Sequence, residues 1–305
     1  MPLPLVYHPD YVTPLPPEHR FPMPKFGRIY EWIIKEGVGT IDQFYIPQIA
    51  PRTWLELAHV PDFVTSYLSG TIDPRAMRRI GFPWSPALVQ RTCTAVGGTV
   101  RTAQLALEHG LACNTAGGTH HAHPDFGSGF CIFNDIAVAA RYILQTSTIR
   151  QILVVDLDVH QGDGTAAIFD KDPSVFTFSM HCEKNFPFRK WPSDLDLGLA
   201  PGTGDDAYLS LLQTNLLSLL DNIRPDLVLY DAGVDPHHAD RLGRLSLSAQ
   251  GLASRDRFVL ENCIVREIPV ACVVGGGYDN DIDLLTQRHG TLFRVATELY
   301  DSLLE

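Results

Sequence analysis

The segment from Ile152 to Gly164, ILVVDLDVHQGDG, constrains this chain more than any other. Its apolar start, Ile152 to Val155, reads as a parallel strand buried on both faces. Asp156, Asp158, His160 and Asp163 then follow within eight residues. Charged groups at the end of a buried strand are costly unless something pairs them. A divalent metal is the simplest partner. Asp158 and His160 are two apart, so on an extended segment they face the same side and can share one ion. Carboxylate and imidazole are donors that suit zinc or ferrous iron. The chain reads as a metallohydrolase whose remaining parts must reach the same strand end.

The rest of the sequence supplies a fold that can do this. Pro86 to His109 reads as a helix, Leu111 to Thr115 as a strand, and Asn134 as the N-cap of a helix through Leu144. Ile152 to Leu157 and Val175 to Met180 read as strands, with a helix around Thr165 to Phe169. His181 to Gly204 reads as a long loop. Asp205 or Asp206 caps a helix to about Ile223. A strand at Asp226 to Tyr230, a helix at Ser248 to Arg266 and a strand at Val270 to Val274 follow. A terminal helix from Asp281 to Leu304 is expected, with a break near Gly290. Residues 1–28 are proline-rich and are expected to wrap the surface irregularly, before a helix at Tyr30 to Glu36 ended by Gly37. Alternating strands and helices predict one α/β domain over residues 1–305, its parallel sheet covered on both faces. Ligands in such folds sit at the carboxyl ends of the strands.

Composition narrows the classes. An apolar fraction of 45% is ordinary for a soluble domain. The formal net charge is −11, from 35 acidic and 24 basic residues. That argues against broad nucleic-acid binding or adhesion to anionic membrane. It is compatible with attracting a cationic substrate, a solvated acidic surface being the blander reading. Cys93, Cys113, Cys131, Cys182, Cys263 and Cys272 are scattered without a CxxC pair, which reads as reduced, buried thiols. The start MPLPLVYHPD has neither the basic nor the apolar region of a secretory signal. No run approaches the ~20 apolar residues of a membrane span. A cytoplasmic location is the expectation.

Four polar clusters fall at strand ends of one sense. They are His120-His121, Asp156 to Asp163, Asp231 with Asp235, and Gly275-Gly276-Gly277-Tyr278. Asp158, His160 and Asp235 make a metal set that leaves positions open for water and a substrate oxygen. A turn cap is the alternative for Asp235, and Asp231 or His237 would be next in line as a ligand. His237 and His238 are placed nearer the rim. His120 and His121 need partners to fix their tautomers, and Asp156 and Asp163 are the spare carboxylates. An Asp–His pair beside a metal-activated water is a general-base arrangement. The glycines allow close backbone approach or positive φ, and the Tyr278 phenol could donate to an oxyanion.

The blocks GGTHHAHPDFGSGFCIFND, VVDLDVHQGDGT, PGTGD, DAGVDPHHADRLG and GGGYDND resemble the zinc-dependent histone deacetylase family, in the same order and at similar spacing. That family includes acetylpolyamine amidohydrolases and acetoin-utilisation proteins. The resemblance implies an arginase-like three-layer α/β/α domain. It implies zinc at Asp158, His160 and Asp235, His120 paired with Asp156, and His121 paired with Asp163. His121 would be the main general base, His120 an acid or electrostatic support, and Tyr278 the oxyanion donor. Phe130 would line the channel for the acyl-lysine stem, and the Gly129 carbonyl would meet the amide nitrogen. Structural potassium would use the Asp156 and Ser179 side chains with backbone oxygens of Asp158, His160 and Met180. A second monovalent site would use backbone near Phe169, Asp172 and Val175.

Departures refine the expectation. His160-Gln161-Gly162 replaces the common HHG, and Lys25 stands where many members have arginine. Both look like class IV deacetylases. Leu199-Ala200-Pro201 occupies the stretch before PGTG where a second channel aromatic is usual, so one channel wall is expected to lack its ring. The implied substrate is an acyl-lysine protein or another acylated amine. An acetylpolyamine amidohydrolase, a two-metal ureohydrolase and a catalytically silent acyl-amine binder are the alternatives.

Overall fold

The computed structural model describes residues 2–302. In chain order the first elements are β1 (Leu5–Val6), α1 (Lys25–Lys35), β2 (Phe44–Tyr45), α2 (Arg52–Leu55), α3 (Pro61–Ser69), α4 (Pro74–Ile80), α5 (Pro86–His109), β3 (Leu111–Asn114) and α6 (Asp135–Thr146). Then come β4 (Ile152–Asp156), α7 (Asp163–Ile168), β5 (Val175–Cys182), β6 (Leu195–Leu199), α8 (Asp205–Ile223), β7 (Leu227–Asp231), α9 (Ala249–Ile264), β8 (Val270–Val273) and α10 (Ile282–Ser302). The strands form one sheet in the order β2-β1-β3-β8-β7-β4-β5-β6, and every adjacent pair is parallel. Helices cover it as two groups, α5 with α6 and α1, α8 and α9 with α10. β4 and β7 are buried at every position, which explains their unbroken apolar runs. No helix among the described residues is long and apolar enough to cross a membrane. All six cysteines are buried and free.

The N-terminal lead departs from expectation. It contains β1, which sits inside the sheet between β2 and β3, with Leu5 in register with both Phe44 and Cys113. Leu3, Leu5, Val6 and Tyr11 are fully buried. Two-residue strands carry no readable alternation, so the prolines dominate the sequence pattern. The tight seating comes from Gly97 and Gly98 in α5. A Cβ at Gly98 would lie 1.9 Å from the Tyr11 hydroxyl, and one at Gly97 would lie 1.8 Å from the Gln48 carbonyl oxygen. The first long helix also starts earlier than expected, at Lys25 behind Pro24, because proline suits a helix start.

Other elements differ for local reasons. The expected loop from His181 to Gly204 contains β6, whose LDLGL sequence carries poor strand formers and is half-exposed at the sheet edge. Helix α10 does not break at Gly290. The glycine faces Trp32 of α1, where a Cβ would fall 2.4 Å from the ring, so it permits close helix packing. The expected end of α10 at Leu304 lies outside the described residues. Neither Asp205 nor Asp206 caps α8, since Gly204 is the N-cap. Asp205 instead accepts hydrogen bonds from the backbone and hydroxyl of Ser248, the N-cap of α9.

Arg255 of α9 joins the strand ends that carry the polar clusters. It is wholly buried. Its Nη1 donates to the Leu157 carbonyl beyond β4 (3.2 Å) and the Gly233 carbonyl beyond β7 (2.6 Å), and its Nε donates to Asp256 (2.9 Å). The Tyr230 hydroxyl donates to the same Asp256 carboxylate at 2.6 Å. Removing one partner of a buried pair leaves the other uncompensated, so Arg255→Ala should cost about 3–5 kcal/mol in urea unfolding. Leu5→Ala should cost about 2–5 kcal/mol in the same measurement. A surface-wrapping lead would lose less than about 0.5 kcal/mol there.

Candidate active site

The carboxyl ends of β3, β4, β7 and β8 converge as the sequence implies, though not always for the expected reason. Asp156 ends β4, and the chain then bends, so Asp158 and His160 are brought together by a turn and not by strand alternation. The His160 Nδ1 lies 2.9 Å from Asp158 Oδ1 and 3.2 Å from Asp235 Oδ2. All three residues are buried. The Gly276 amide binds Asp158 Oδ2 (2.8 Å), and the Val159 amide binds Asp235 Oδ1 (2.9 Å). Asp235 is therefore no cap of its own turn.

These donors fit a divalent ion. A single Nδ1 proton shared between two carboxylates leaves each with only part of a hydrogen bond. Both imidazole-to-carboxylate separations are close to the edge of a tetrahedron with bonds of about 2.0 Å, and one ligand atom from each of the three residues lies within 4.8 Å of the others. Asp235 Oδ2 is buried without a hydrogen bond. The triple glycine is what allows this crowding: a Cβ at Gly276 would lie 1.9 Å from Asp235 Oδ2. His237 and His238 turn to their own loop. His237 Nδ1 accepts from the Ala239 amide (3.2 Å), and His238 Nδ1 donates to the Leu247 carbonyl (3.1 Å).

His120 and His121 sit on a loop held by buried polar anchors. Asp135 accepts from the Gly118 and Thr119 amides (3.2 and 2.7 Å). Asn134 caps α6 through the Ala137 amide and also donates to the His120 and Ala122 carbonyls. On this frame His120 Nδ1 donates to Asp156 Oδ2 at 2.7 Å, and His121 Nδ1 donates to Asp163 Oδ1 at 2.6 Å. His123, which the sequence reading passed over, donates to the other Asp163 oxygen at 2.9 Å.

The two imidazoles are driven apart in protonation. Burial works against charge on His120, but Asp156 and Asp158 outweigh it and raise its pKa well above the ordinary value. Burial and the neighbouring His120 lower His121 to about 4, only partly opposed by Asp163. Burial would raise Asp163 too, yet the hydrogen bonds from His121 and His123 hold it well below the usual carboxylate range. The surroundings push the two imidazoles in opposite directions, and their ring centroids lie 4.1 Å apart.

A cavity of about 520 Å³ opens onto His121, His160, Gly129, Phe130 and Tyr278. Gly129 and Phe130 both have positive φ, 53° and 67°. A Cβ at Gly129 would fall within 3 Å of the rings of His121 and Phe186. Phe186 corrects the expectation of a missing aromatic. Its ring stands 4.7 Å from His121 at 89° and lines the cavity with Phe130. It belongs to Asn185-Phe186-Pro187-Phe188, just past β5, and not to the stretch before Pro201. The aromatic-proline-aromatic run was the available signal.

Tyr278 is set by its backbone. Its amide binds Asp240 Oδ2 at 2.6 Å, and burial with Asp158 and Asp235 nearby raises its phenol well above the ordinary value, so it stays a donor. Lys25 is buried beneath it, its ammonium bonding the carbonyls of Gly275, Gly276 and Gly277. Burial lowers this lysine to about 8.

Asp156 and Ser179 face each other in the β4–β5 register, next to Met180. Ser179 is 3.0 Å from the His181 ring. Asp172 N donates to Phe169 O, and Val175 N to Asp172 O. Asp231 lies with His120 and Asp156, wholly buried, and neither of its oxygens has a hydrogen bond. Burial and Asp156 raise its carboxyl well above the ordinary value.

Comparison with known proteins bears on the family and the fold. The histone deacetylase domain model matches residues 19–289. An uncharacterised protein of Picosynechococcus sp. (strain ATCC 27264 / PCC 7002 / PR-6) is 60% identical over 98% of this chain and 100% of its own length. Histone deacetylase 2 of Arabidopsis thaliana is 31% identical over 85% of this chain and 70% of its own. The acetoin utilization protein AcuC of Staphylococcus aureus (strain Mu50 / ATCC 700699) is 29% identical over 79% and 68%. The crystal structure of the HDA15 HD domain superposes with a TM-score of 0.81, covering 98% of this chain and 88% of that one at 18% identity, a likeness of fold. The chain belongs to the histone deacetylase family and is a hydrolase of that family.

Proposed function

We propose that this hydrolase removes an acetyl or longer acyl group from lysine side chains. The observation that carries the reading is the pair of buried His–Asp contacts beside the Asp158, His160 and Asp235 donor set, opening on one cavity with Tyr278. The donor set would hold zinc or ferrous iron, and such an ion polarises the acyl carbonyl and lowers the pKa of a water.

The chain's own groups supply the rest. His121 is the neutral base that accepts the water proton, its tautomer fixed by Asp163. His120, charged and held by Asp156, gives electrostatic support or a proton to the leaving amine. The Tyr278 phenol donates to the oxyanion. Phe130 and Phe186 flank the lysine stem and exclude water, and the Gly129 carbonyl receives the amide N–H. A monovalent cation, potassium, would sit at the Asp156 and Ser179 side chains with backbone oxygens of Asp158, His160 and Met180. Residues Phe169, Asp172 and Val175 would offer a second. Gln161 donates to the Trp191 carbonyl and to Asp196, which ties the metal loop to β6. Intact Tyr278 and His121 speak against a silent binding module. A two-metal ureohydrolase is disfavoured because the other close donor group commits the His120 nitrogen to Asp156.

The test is metal content together with turnover of an acetyl-lysine peptide, a long-chain acyl-lysine peptide and an acetylpolyamine. One metal per chain and peptide hydrolysis is the expected result. Exclusive hydrolysis of the polyamine, or two metals per chain, overturns the reading. Tyr278→Phe should lower turnover ~10²–10³-fold with metal retained, as loss of an oxyanion donor does. Asp235→Ala should instead deplete the metal in elemental analysis. Full occupancy would move the third ligand to Asp231 or His237.

A further inference from the structure

The mouth of the cavity carries a charge opposite to that of the chain. Against a net charge of −11, its lining includes Arg20, Arg78, Arg79, Arg241 and Arg244 and no aspartate or glutamate. All five arginines are exposed. Among the described residues none of the five lies within ion-pair distance of a carboxylate; elsewhere Arg28, Arg52, Arg101, Arg141, Arg255, Arg257, Arg266 and Arg288 are so paired, and Arg75, Arg91, Arg150, Arg189, Arg224 and Arg294 stand apart from one another without forming such a group at one opening.

Four of the five are held in place by groups that leave their charge uncompensated. The Arg20 guanidinium lies 5.0 Å from the Phe130 ring, and that of Arg79 lies 3.9 Å from the Phe126 ring. Arg241 Nη1 donates to the Asn280 amide oxygen, and Arg244 Nη1 donates to the Lys184 carbonyl at 3.0 Å. The nearest acid in sequence, Asp240, is taken up by the amides of Leu242, Gly243 and Tyr278. Arg78 and Arg79 have a local reason to be basic, since they close the last turn of α4. Arg20, Arg241 and Arg244 have none, and a helix-end role does not require convergence on one opening.

We infer that this rim selects acylated amines whose neighbouring groups are anionic, and that its natural form of substrate is an acyl-lysine within an acidic stretch of protein. The inference rests on the lysine reading above. Guanidinium forks pair with carboxylates and phosphates, often bidentately. The same field repels polyamines and lysine-rich tails. The rim is built from three separate segments of chain, so it offers charge on several sides of the opening. That suits anions placed before and after a central lysine better than one compact headgroup.

The experiment uses the full metal-loaded chain and three peptides with one central acyl-lysine, flanked by Asp/Glu, by Gly/Ser or by Lys/Arg. An acetylated amine bearing a phosphate monoester is run beside them. The acidic peptide should exceed the neutral one by about tenfold in kcat/KM, the size that several exposed ion pairs supply together. The gain should lie in KM, because the rim meets the flanks and not the reacting amide. It should fade in 1 M salt, where the screening length falls to about 3 Å. In Arg78→Glu/Arg79→Glu, and separately in Arg241→Glu/Arg244→Glu, the acidic-to-neutral ratio should fall below one. A ratio taken on one protein is unaffected by a loss of folded fraction. A phosphate-bearing amine that outruns the acidic peptide keeps anion selection and assigns it to a small molecule. Equal rates on acidic and neutral peptides, or a salt-independent ratio, overturns the rim's role and leaves lysine deacylation standing. No turnover of any peptide overturns both.

Discussion

Burying charge at the ends of a parallel sheet is the constraint on which the rest of this structure depends. Asp156, Asp158, Asp163, Asp231 and Asp235 lie out of water together with His120, His121 and His160. An isolated buried ion would cost several kcal/mol or neutralise itself. All of these groups but Asp231 face a partner. Asp156 and Asp163 face imidazoles. Asp158 and Asp235 each spend one oxygen on a backbone amide and turn the other toward His160. Asp231, without a hydrogen bond, is pushed toward its neutral form. Arg255 ties the loops beyond β4 and β7 together from beneath, and Lys25 binds the carbonyls of the triple glycine. The braces are as necessary as the reacting groups, because strand ends that drift apart would leave the carboxylates unpaired.

The core of the site was legible because it sits where apolar runs stop. A buried strand followed at once by acids and an imidazole, as after β4, is a pattern few structural roles explain, and other polar clusters follow β3, β7 and β8. What joins the clusters was less legible. Spacing alone does not say that His120 meets Asp156 or that His121 meets Asp163, since those contacts cross the fold, and the family resemblance carried that pairing. Asp158 and His160 do converge, but through a bend past β4 and not through strand alternation. Phe186, His123 and Arg255 were missed because each is an ordinary residue in its local sequence. Only the tertiary arrangement turns Phe186 against His121 and Arg255 under the metal loops.

The fold was legible where elements are long. Helix α5 and strands β4, β5 and β7 carry enough periodicity or apolar length to be read directly. The lead and the sheet edges were not, because β1 and β2 are two residues each and β6 is half-exposed. Gly290 shows the same limit from the other side. Glycine weakens a helix on propensity grounds, yet α10 keeps it because the Trp32 ring occupies the space a side chain would need. Packing decides where propensity is equivocal.

Interior and mouth of the cavity separate chemistry from selection. The floor is acidic and buried, as a cation-holding hydrolytic site requires. The wall is aromatic, with Phe130 and Phe186 close to His121 and Tyr278. The rim is arginine. Whole-chain charge conceals this layering, since a sum of −11 counts buried and exposed acids alike wherever they lie. At physiological ionic strength fields between exposed groups fade over about 8 Å. An approaching substrate therefore senses the arginines at the opening and little of the distant acids. A chain of net acidic composition thus presents, at the mouth of this cavity, a local surface of the opposite sign.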